Sequence, residues 1–201
     1  MGQEYELKYR ATPEVLSSIR DNIGGFAEIA METVYYDTPD GALSSRRWTF
    51  RRRLENGEAV CTLKTPMPDG SRGEWEVSCA DMDAAPGLLA EAGAPAALLS
   101  LTASGVVPVC GARFTRLAKA IALGDSVVEL ALDAGSLLGG GRELPFAEAE
   151  VELKQGRRED ADRFAAGLSE KFGLVPEKKS KFKRALSLAR EAVDGTKCPK
   201  G

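Results

Sequence analysis

The chain has 201 residues, of which 43% are apolar and 28% charged, an ordinary globular composition with enough length to bury one substantial core. Its formal net charge of −3 argues against general nucleic-acid binding, and no apolar run of about 18 residues predicts a membrane-spanning helix. Acids near the first residue also argue against a signal peptide. We therefore expect a cytoplasmic protein with no nucleic-acid or membrane partner, with a single domain over residues 1–194 and a disordered tail over residues 195–201.

Histidine is absent, which excludes an imidazole base, His-ligated metals and Ser–His or Cys–His nucleophiles. The four cysteines, Cys61, Cys79, Cys110 and Cys198, are far apart in the sequence and form no CxxC pair. They predict reduced thiols, not a disulfide framework or a zinc site. Acid–base and metal chemistry must therefore come from carboxylates, lysines, arginines and water.

The first predicted strand, Glu4–Lys8, alternates charged and apolar residues. Successive side chains of a strand point to opposite faces, so its two glutamates and its lysine share one face. A solvated edge strand gives the same pattern. This stretch alone does not indicate a functional site.

Capping and turn signals divide the next hundred residues. Thr12 is a predicted N-cap, and Asn56-Gly57 predicts the tight turn of a hairpin. An Ala/Leu-rich stretch over residues 83–101 predicts two short helices that cover an end or a side of the sheet. The other predicted elements are a helix over Pro13–Asn22 and strands over Phe26–Tyr36, Trp48–Leu54, Ala59–Thr65 and Arg72–Val77.

The second half of the chain predicts long strands followed by helices. Gly135 and the glycines at 139–141 predict a flexible connection between two strands. Helical spacing of apolar residues indicates the last two elements. The predicted elements are one or two strands over Val106–Leu123, strands over Ser126–Asp133 and Glu148–Lys154, and helices over Glu159–Phe172 and Lys178–Val193.

Charged residues of both signs recur at period two on several predicted strands. They form clusters, whereas a solvated outer face of an antiparallel sheet would carry interspersed charge. Closing the sheet into a barrel would direct these groups into one lumen. The acids are Glu4, Glu6, Glu74, Glu76, Glu148, Glu150 and Glu152, and the bases are Arg51, Arg53, Lys64, Arg72, Arg113 and Arg116.

Charges in a lumen need partners, because an ionised group that loses its water is costly unless it is neutralised. Carboxylate oxygens suit Mg²⁺ or Mn²⁺, and arginine and lysine side chains suit phosphate oxygens. The ligand that fits both sets of groups is a polyphosphate with divalent metal. Phosphoryl transfer in such a site needs no histidine.

Seven segments, in order along nearly the whole chain, resemble motifs of the CYTH superfamily, also called triphosphate tunnel metalloenzymes. The opening stretch resembles the family signature ExExK, which alone would be a weak signal. The matching segments are Glu4–Lys8, Tyr36–Thr38 together with Phe50–Arg53, Thr62–Lys64, Arg72–Glu76, Glu129–Gly135, Glu148–Gly156 and Ser180–Ala185.

The resemblance implies an α+β fold built on an eight-stranded antiparallel β tunnel, closed or nearly closed, with flanking helices. It implies that acids hold Mg²⁺ or Mn²⁺ and that bases hold a triphosphate. The implied metal ligands are Glu4, Glu6, Glu74, Glu76, Asp133, Glu148, Glu150 and Glu152. The implied phosphate ligands are Lys8, Arg51, Arg53, Lys64, Arg72, Arg113, Arg116, Lys154, Lys181 and Arg184. The implied catalytic residues are Glu4, Glu6, Lys8 and Glu152.

Several of these assignments stay open at the level of the sequence. Either Arg113 or Arg116 faces the lumen, and the pattern does not decide between them. Glu74, Glu76 and Asp133 would hold metal, orient a water or pair with the bases, and structural ion pairs are an alternative for every acid. The family often has an aromatic residue near the position of Lys119, which leaves the substrate preference at the tunnel mouth open.

The leading functional hypothesis is a metal-dependent inorganic triphosphatase that cleaves tripolyphosphate to pyrophosphate and phosphate. A second metal ion or a glutamate would activate the attacking water. The alternatives are hydrolysis of a nucleoside or thiamine triphosphate, a class IV adenylate cyclase, and a non-catalytic polyphosphate- or nucleotide-binding module. The sequence is compatible with a monomer or a homodimer.

Overall fold

The computed structural model describes residues 2–68 and 71–195, and it describes the side chains of residues 5–68 and 71–192. The strands are β1 Gly2–Glu4, β2 Glu6–Arg10, β3 Ala27–Asp37, β4 Thr49–Glu55, β5 Glu58–Pro66, β6 Arg72–Ser78, β7 Val107–Leu123, β8 Ser126–Gly139, β9 Arg142–Gln155 and β10 Val175–Pro176. The helices are α1 Pro13–Ile23, α2 Ala42–Ser45, α3 Ala85–Glu91, α4 Ala97–Leu101, α5 Arg158–Phe172 and α6 Lys181–Gly195. Within the described residues, no helix is both long and apolar enough to cross a membrane.

All described strands belong to one antiparallel sheet in the order β1-β6-β5-β4-β3-β7-β8-β9-β2-β10. Only Tyr5 separates β1 from β2, yet β1 pairs with β6 and β2 pairs with β9. The two ends of the sheet therefore meet at the N-terminal segment, and the sheet curves into a tunnel. With β1 and β2 counted as one strand and the two-residue β10 set aside, the predicted eight-stranded antiparallel fold is confirmed.

Two parts of the outer face of the sheet are apolar and are covered by helices. Helices α1 and α5 pack on β2, β8 and β9 around Ile19, Leu130 and Val151, while α3 and α4 cover β4–β6. Burial of one such aliphatic side chain contributes about 1.5–3 kcal/mol. This packing leaves the opposite, charged face of each strand to line the tunnel.

Helix α6 lies against the inner face of the sheet. Its residues Phe182 and Ala185 pack with Met31, Tyr35 and Phe114, side chains of β3 and β7 that point into the barrel. The rings of Tyr35 and Phe182 are 5.0 Å apart between centroids. The last helix is therefore part of the tunnel lining and does not add a further outer layer.

Asp37, in the Tyr36–Thr38 segment, has a structural role. Its buried carboxylate accepts hydrogen bonds from the backbone N–H groups of Leu43 and Ser44, at 2.9 and 3.2 Å. These groups open α2, a short helix that the sequence did not predict. The segment therefore anchors the connection between β3 and β4.

The predicted flexible connection over Gly135–Gly141 is wrong, because β8 continues to Gly139 and only Gly140 and Gly141 form the turn. A Cβ on Gly135 would lie 2.2 Å from the backbone oxygen of Arg113, and one on Gly139 would lie 2.5 Å from that of Ala185 in α6. Close approach of backbones, not flexibility, thus explains these two glycines.

Other boundaries also differ from the prediction. Residues 107–123 form one strand, β9 begins at Arg142, six residues earlier than predicted, and α6 begins at Lys181, three residues later than predicted. Gly195 belongs to α6, and the rest of the predicted tail, which includes Cys198, lies outside the described residues. These differences move no predicted site residue from one strand face to the other.

The close contact at Gly139 gives a stability test. Gly139→Ala should lower the free energy of unfolding by about 1–3 kcal/mol, because the new methyl group must displace α6 from the sheet. Gly167→Ala in α5, where a Cβ meets nothing within 4 Å, should raise it by about 0.5–1 kcal/mol. Equilibrium urea unfolding measures both values. A Gly139→Ala protein as stable as the wild type would show that α6 does not pack against the sheet in this way.

Candidate active site

The tunnel encloses a cavity of about 310 Å³ whose walls carry charges of both signs. Inner and outer residues alternate along each strand, so β2, β4–β9 and α6 all contribute. The charged lining residues are Glu6, Lys8, Arg51, Arg53, Glu55, Lys64, Arg72, Glu74, Glu76, Arg116, Glu129, Glu150, Glu152, Lys154 and Lys181. The walls differ in which sign of charge they present.

One wall carries a row of three carboxylates on adjacent strands. Glu152 in β9 is the register partner of Glu6 in β2 on one side and of Glu129 in β8 on the other. The ammonium group of Lys154 lies 2.8 Å from Glu152 and 3.7 Å from Glu129, and that of Lys8 lies 3.3 Å from Glu6. All three acids are only partly buried, so the row is accessible from the cavity.

Lys8 carries its positive charge in the middle of this wall. Burial acts to lower the pKa of its ammonium group, but the carboxylates of Glu6 and Glu150 outweigh burial and raise the pKa above its ordinary value. The group therefore stays protonated at neutral pH. It is positioned to neutralise an anion that enters the tunnel.

The facing wall, formed by β4, β5 and β6, is rich in bases. Lys64 lies 3.1 Å from Glu74, and Arg51 lies 3.7 Å from both Glu74 and Glu76. Arg72 donates a hydrogen bond of 3.1 Å to the Thr49 hydroxyl. The bases on this wall are Arg51, Arg53, Lys64 and Arg72.

Arg53 is a buried base on this wall, and its guanidinium pairs with Glu55. Burial, reinforced by repulsion from Arg51, lowers the pKa of its guanidinium, although Glu55 acts in the opposite direction. Its Nε is buried and has no hydrogen-bond partner. A buried donor without a partner, on a residue that lines a polar cavity, indicates that this wall can receive an anion.

Behind the acidic row lies a buried cluster of three carboxylates. One oxygen from each of Asp133, Glu148 and Glu150 lies within 4.8 Å of the other two, a spacing that a metal ion could bridge. The ammonium group of Lys181 contacts all three, at 2.7 Å from Asp133 and 2.8 Å from Glu150. In this structure Lys181 therefore supplies the cation of the cluster.

Two arginines complete the buried cluster. Arg116 donates two hydrogen bonds of 2.8 Å to Asp133 and one of 2.6 Å to Glu150, and Arg184 pairs with Glu148. The three acids face three bases, so their formal charges cancel. A buried group of this kind is tolerated only when each charge is neutralised and hydrogen-bonded.

The electrostatics of the cluster follow from this pairing. Burial acts to raise the pKa of Glu150, but Lys181 and Arg116 outweigh it and hold the pKa well below the ordinary value. For Lys181, burial acts to lower the pKa, and the three carboxylates raise it well above the ordinary value. Glu150 and Lys181 are therefore both charged at neutral pH.

The structure brings most of the predicted residues to the cavity surface, but not all of them. Arg116 faces inward, and Arg113 is exposed on the outer face of β7, so Arg113 does not line the site. The side chain of Glu4 lies outside the described residues. Three other predicted residues lie in the buried cluster and not on the cavity surface, namely Asp133, Glu148 and Arg184.

Two acidic tunnel residues were absent from the predicted site. Glu129 and Glu55 line the cavity. Glu55 extends the inward series of Arg51 and Arg53 by one step, and Glu129 lies on the same face of β8 as Asp133. Extending the alternation to the end of each strand would have found both. Lys119 lies outside the tunnel, where its ammonium group contacts the carbonyl oxygens of Ile23 and Gly24 at the end of α1.

The sequence of this chain is similar to a known domain family and to a known protein. The CYTH domain model matches residues 2–186. An inorganic triphosphatase from Haemophilus influenzae is 27% identical over 197 residues, which cover 94% of this chain and 55% of that protein. The chain thus spans about half the length of this relative.

Solved structures share the fold. The PH1819 protein from Pyrococcus horikoshii OT3 superposes with a TM-score of 0.64 at 24% identity, over 92% of this chain and 99% of that one. The Hippeastrum protein HpAC1, an adenylyl cyclase by name that is described as having a dominant triphosphatase activity, gives a TM-score of 0.60 at 18% identity, over 94% and 96%.

Lys181 gives a test of the buried cluster. Lys181→Met should lower the free energy of unfolding at neutral pH by about 3–5 kcal/mol, because it leaves buried carboxylates without a cation. Lys183→Met, at an exposed position of the same helix, should change it by at most about 0.5 kcal/mol. Urea unfolding of both variants measures the difference. Equal stability of the two variants at neutral pH would contradict the assignment.

The pH dependence of the wild type should follow the same groups. Since the pKa of Glu150 is lowered on folding, its stabilisation is complete above its ordinary value of 4.5 and is lost as the pH falls further. Since the pKa of Lys181 is raised, its stabilisation is complete below its ordinary value of 10.5 and is lost as the pH rises through the folded value. The deficit of Lys181→Met should therefore shrink in acid, as measured by unfolding over a pH series.

Proposed function

This chain belongs to the CYTH domain family, and on that premise we propose that it hydrolyses inorganic triphosphate to pyrophosphate and phosphate with the help of Mg²⁺ or Mn²⁺. The observation that carries the proposal is the pair of facing walls, one with a row of accessible carboxylates and the other with a cluster of bases around an unused buried donor. The activity named for the Haemophilus influenzae relative supports the choice of substrate. The triphosphatase activity described for HpAC1 supports the reaction.

We place the divalent metal at the row formed by Glu6, Glu129 and Glu152, because the acids of the more closely spaced buried cluster already pair with bases. The three carboxylates of the row come from adjacent strands, share the inner face and present hard oxygen donors of the kind that Mg²⁺ and Mn²⁺ prefer. Glu150, in contrast, already uses one oxygen for Lys181 and the other for Arg116. The chemistry that a bound ion supplies at such a row is neutralisation of phosphate charge and acidification of a water.

The remaining predicted metal ligands have other partners in the structure. Glu74 and Glu76 lie on the basic wall, where burial acts to raise the pKa of Glu76 but the charge of Arg51 and the Thr62 hydroxyl outweigh burial and lower it. We assign them to orienting the bases. Asp133 and Glu148 stay with the buried cluster, where they position α6.

The bases bind the substrate and stabilise the charge that develops during the reaction. Hydrolysis joins a water oxygen to the terminal phosphorus and breaks the bond from that phosphorus to the bridging oxygen, so negative charge grows on the leaving pyrophosphate. Lys8, Arg51 and Arg116 line the cavity and would face that charge. Preorganised donors of this kind lower the barrier because they need no rearrangement. Arg53, Lys64, Arg72 and Lys154 complete the set of phosphate ligands.

A substrate panel tests the reaction. Release of phosphate should be measured from tripolyphosphate, ATP and thiamine triphosphate with Mg²⁺ or Mn²⁺, alongside assays for cyclic AMP. We expect tripolyphosphate to be the best substrate and a chelator to abolish turnover. Cyclic AMP as the main product would replace the proposal by a cyclase. Tight binding of triphosphates without any turnover would replace it by a binding module.

Substitution of the acidic row tests the metal assignment. Glu152→Gln and Glu6→Gln should each lower kcat/KM for tripolyphosphate by about a hundredfold or more, because an amide is a poor replacement for a carboxylate at a divalent ion. Glu143→Gln, an exposed position in the same strand as Glu152, serves as the matched control and should keep the wild-type rate. Rates within a fewfold of the wild type in both row variants would place the metal elsewhere.

A further inference from the structure

Glu55 is a tunnel acid that neither the metal row nor the buried cluster uses. It is the last residue of β4, directly before the Asn56–Gly57 turn, and it faces the cavity two residues after Arg53. Its carboxylate pairs with the guanidinium of Arg53, which also lies 3.9 Å from Glu76. Glu55 thus holds a phosphate-binding arginine from the rim of the tunnel.

The exposure of the charged side chains shows where solvent reaches the tunnel. Lys181, the first residue of α6, is only 10% exposed, whereas Glu55 is 32%, Lys154 41% and Glu76 43% exposed. A soluble anion therefore reaches the cavity past the side chains around Glu55. A substrate too long for the inner part of the cavity would therefore extend into this rim.

The part of the rim that the β4–β5 hairpin forms is acidic, in contrast to the deeper part of these two strands. Glu58 is the register partner of Glu55 across the hairpin. Arg51 in β4 and Lys64 in β5 lie farther from the hairpin turn. A phosphate chain that fills the basic region would place any additional phosphate among these carboxylates.

We propose that Glu55 makes the tunnel prefer triphosphate to longer linear polyphosphates, an inference that rests on the proposed function. Two effects of the same carboxylate act together. It occupies Arg53, the base nearest the rim on β4, and it places a negative charge where a fourth phosphate would lie. Glu55 is therefore a specificity residue, distinct from the groups that hold the reacting phosphates.

The test compares the affinities of tripolyphosphate and tetrapolyphosphate, measured by calorimetry without divalent cations, and the KM values of both with Mg²⁺. In Glu55→Gln the preference for tripolyphosphate, as the ratio of the two Kd values, should fall about tenfold. Glu55→Asp keeps the charge and should keep the wild-type ratio. Glu32→Gln removes the same charge from the exposed outer face of the neighbouring strand and should leave the ratio unchanged. Added salt should reduce the difference between Glu55→Gln and the wild type.

The results that would overturn the proposal are distinct from a failure of the proposed function. An unchanged ratio in Glu55→Gln, or an equal change in Glu32→Gln, would show that Glu55 does not set the preference. A wild type that binds tripolyphosphate but does not prefer it to tetrapolyphosphate would do the same and would leave the triphosphatase assignment standing. A wild type that binds neither polyphosphate would overturn both.

Discussion

Neutralisation of charge on the inner face of the sheet is the constraint on which the rest of this structure depends. A strand that turns an ionised side chain into a tunnel removes much of its water, and the lost solvation has to be replaced by a partner. Neighbouring strands supply many of these partners, as between Lys154 and Glu129 or Lys64 and Glu74. Where the partners are incomplete, as at the Nε of Arg53, the tunnel retains capacity for a charged ligand. Structural pairing and ligand binding thus use the same groups.

The buried cluster around Lys181 makes the two sides of the tunnel different. Because Lys181 lies at the start of α6 and its three carboxylate partners lie on β8 and β9, the ion pairs hold the helix against the inner face of the sheet. The packing of Phe182 on Tyr35 adds an apolar contact at the same place. One side of the tunnel consequently carries buried ion pairs, and the opposite side carries the more exposed acids and bases. The acids and bases assigned to metal and phosphate in the proposed function lie on the second side.

The apolar outer face supports this arrangement energetically. Ion pairs in a tunnel contribute little net stability, since desolvation offsets most of the attraction. The helices on the outer face bury Ile19, Leu130, Val151 and their neighbours, and this burial stabilises the barrel that the inner charges require. The glycines of β8 allow backbones to approach closely where α6 and β7 cross the strand. A packed exterior therefore permits a polar interior.

The sequence by itself determined which residues share a strand face, and its ordered motifs indicated the family. Period-two alternation is a local property, so Glu6 and Lys8, Arg51 and Arg53, and Glu150 and Glu152 could be assigned to one lumen without a structure. Partners are not local. Only the tertiary structure decided that Arg116 and not Arg113 faces inward, that Lys181 binds acids more than thirty positions away, and that Glu129 extends the acidic row. The physical reason is that alternation fixes the direction of a side chain, whereas the register between distant strands and the position of α6 fix what that side chain meets.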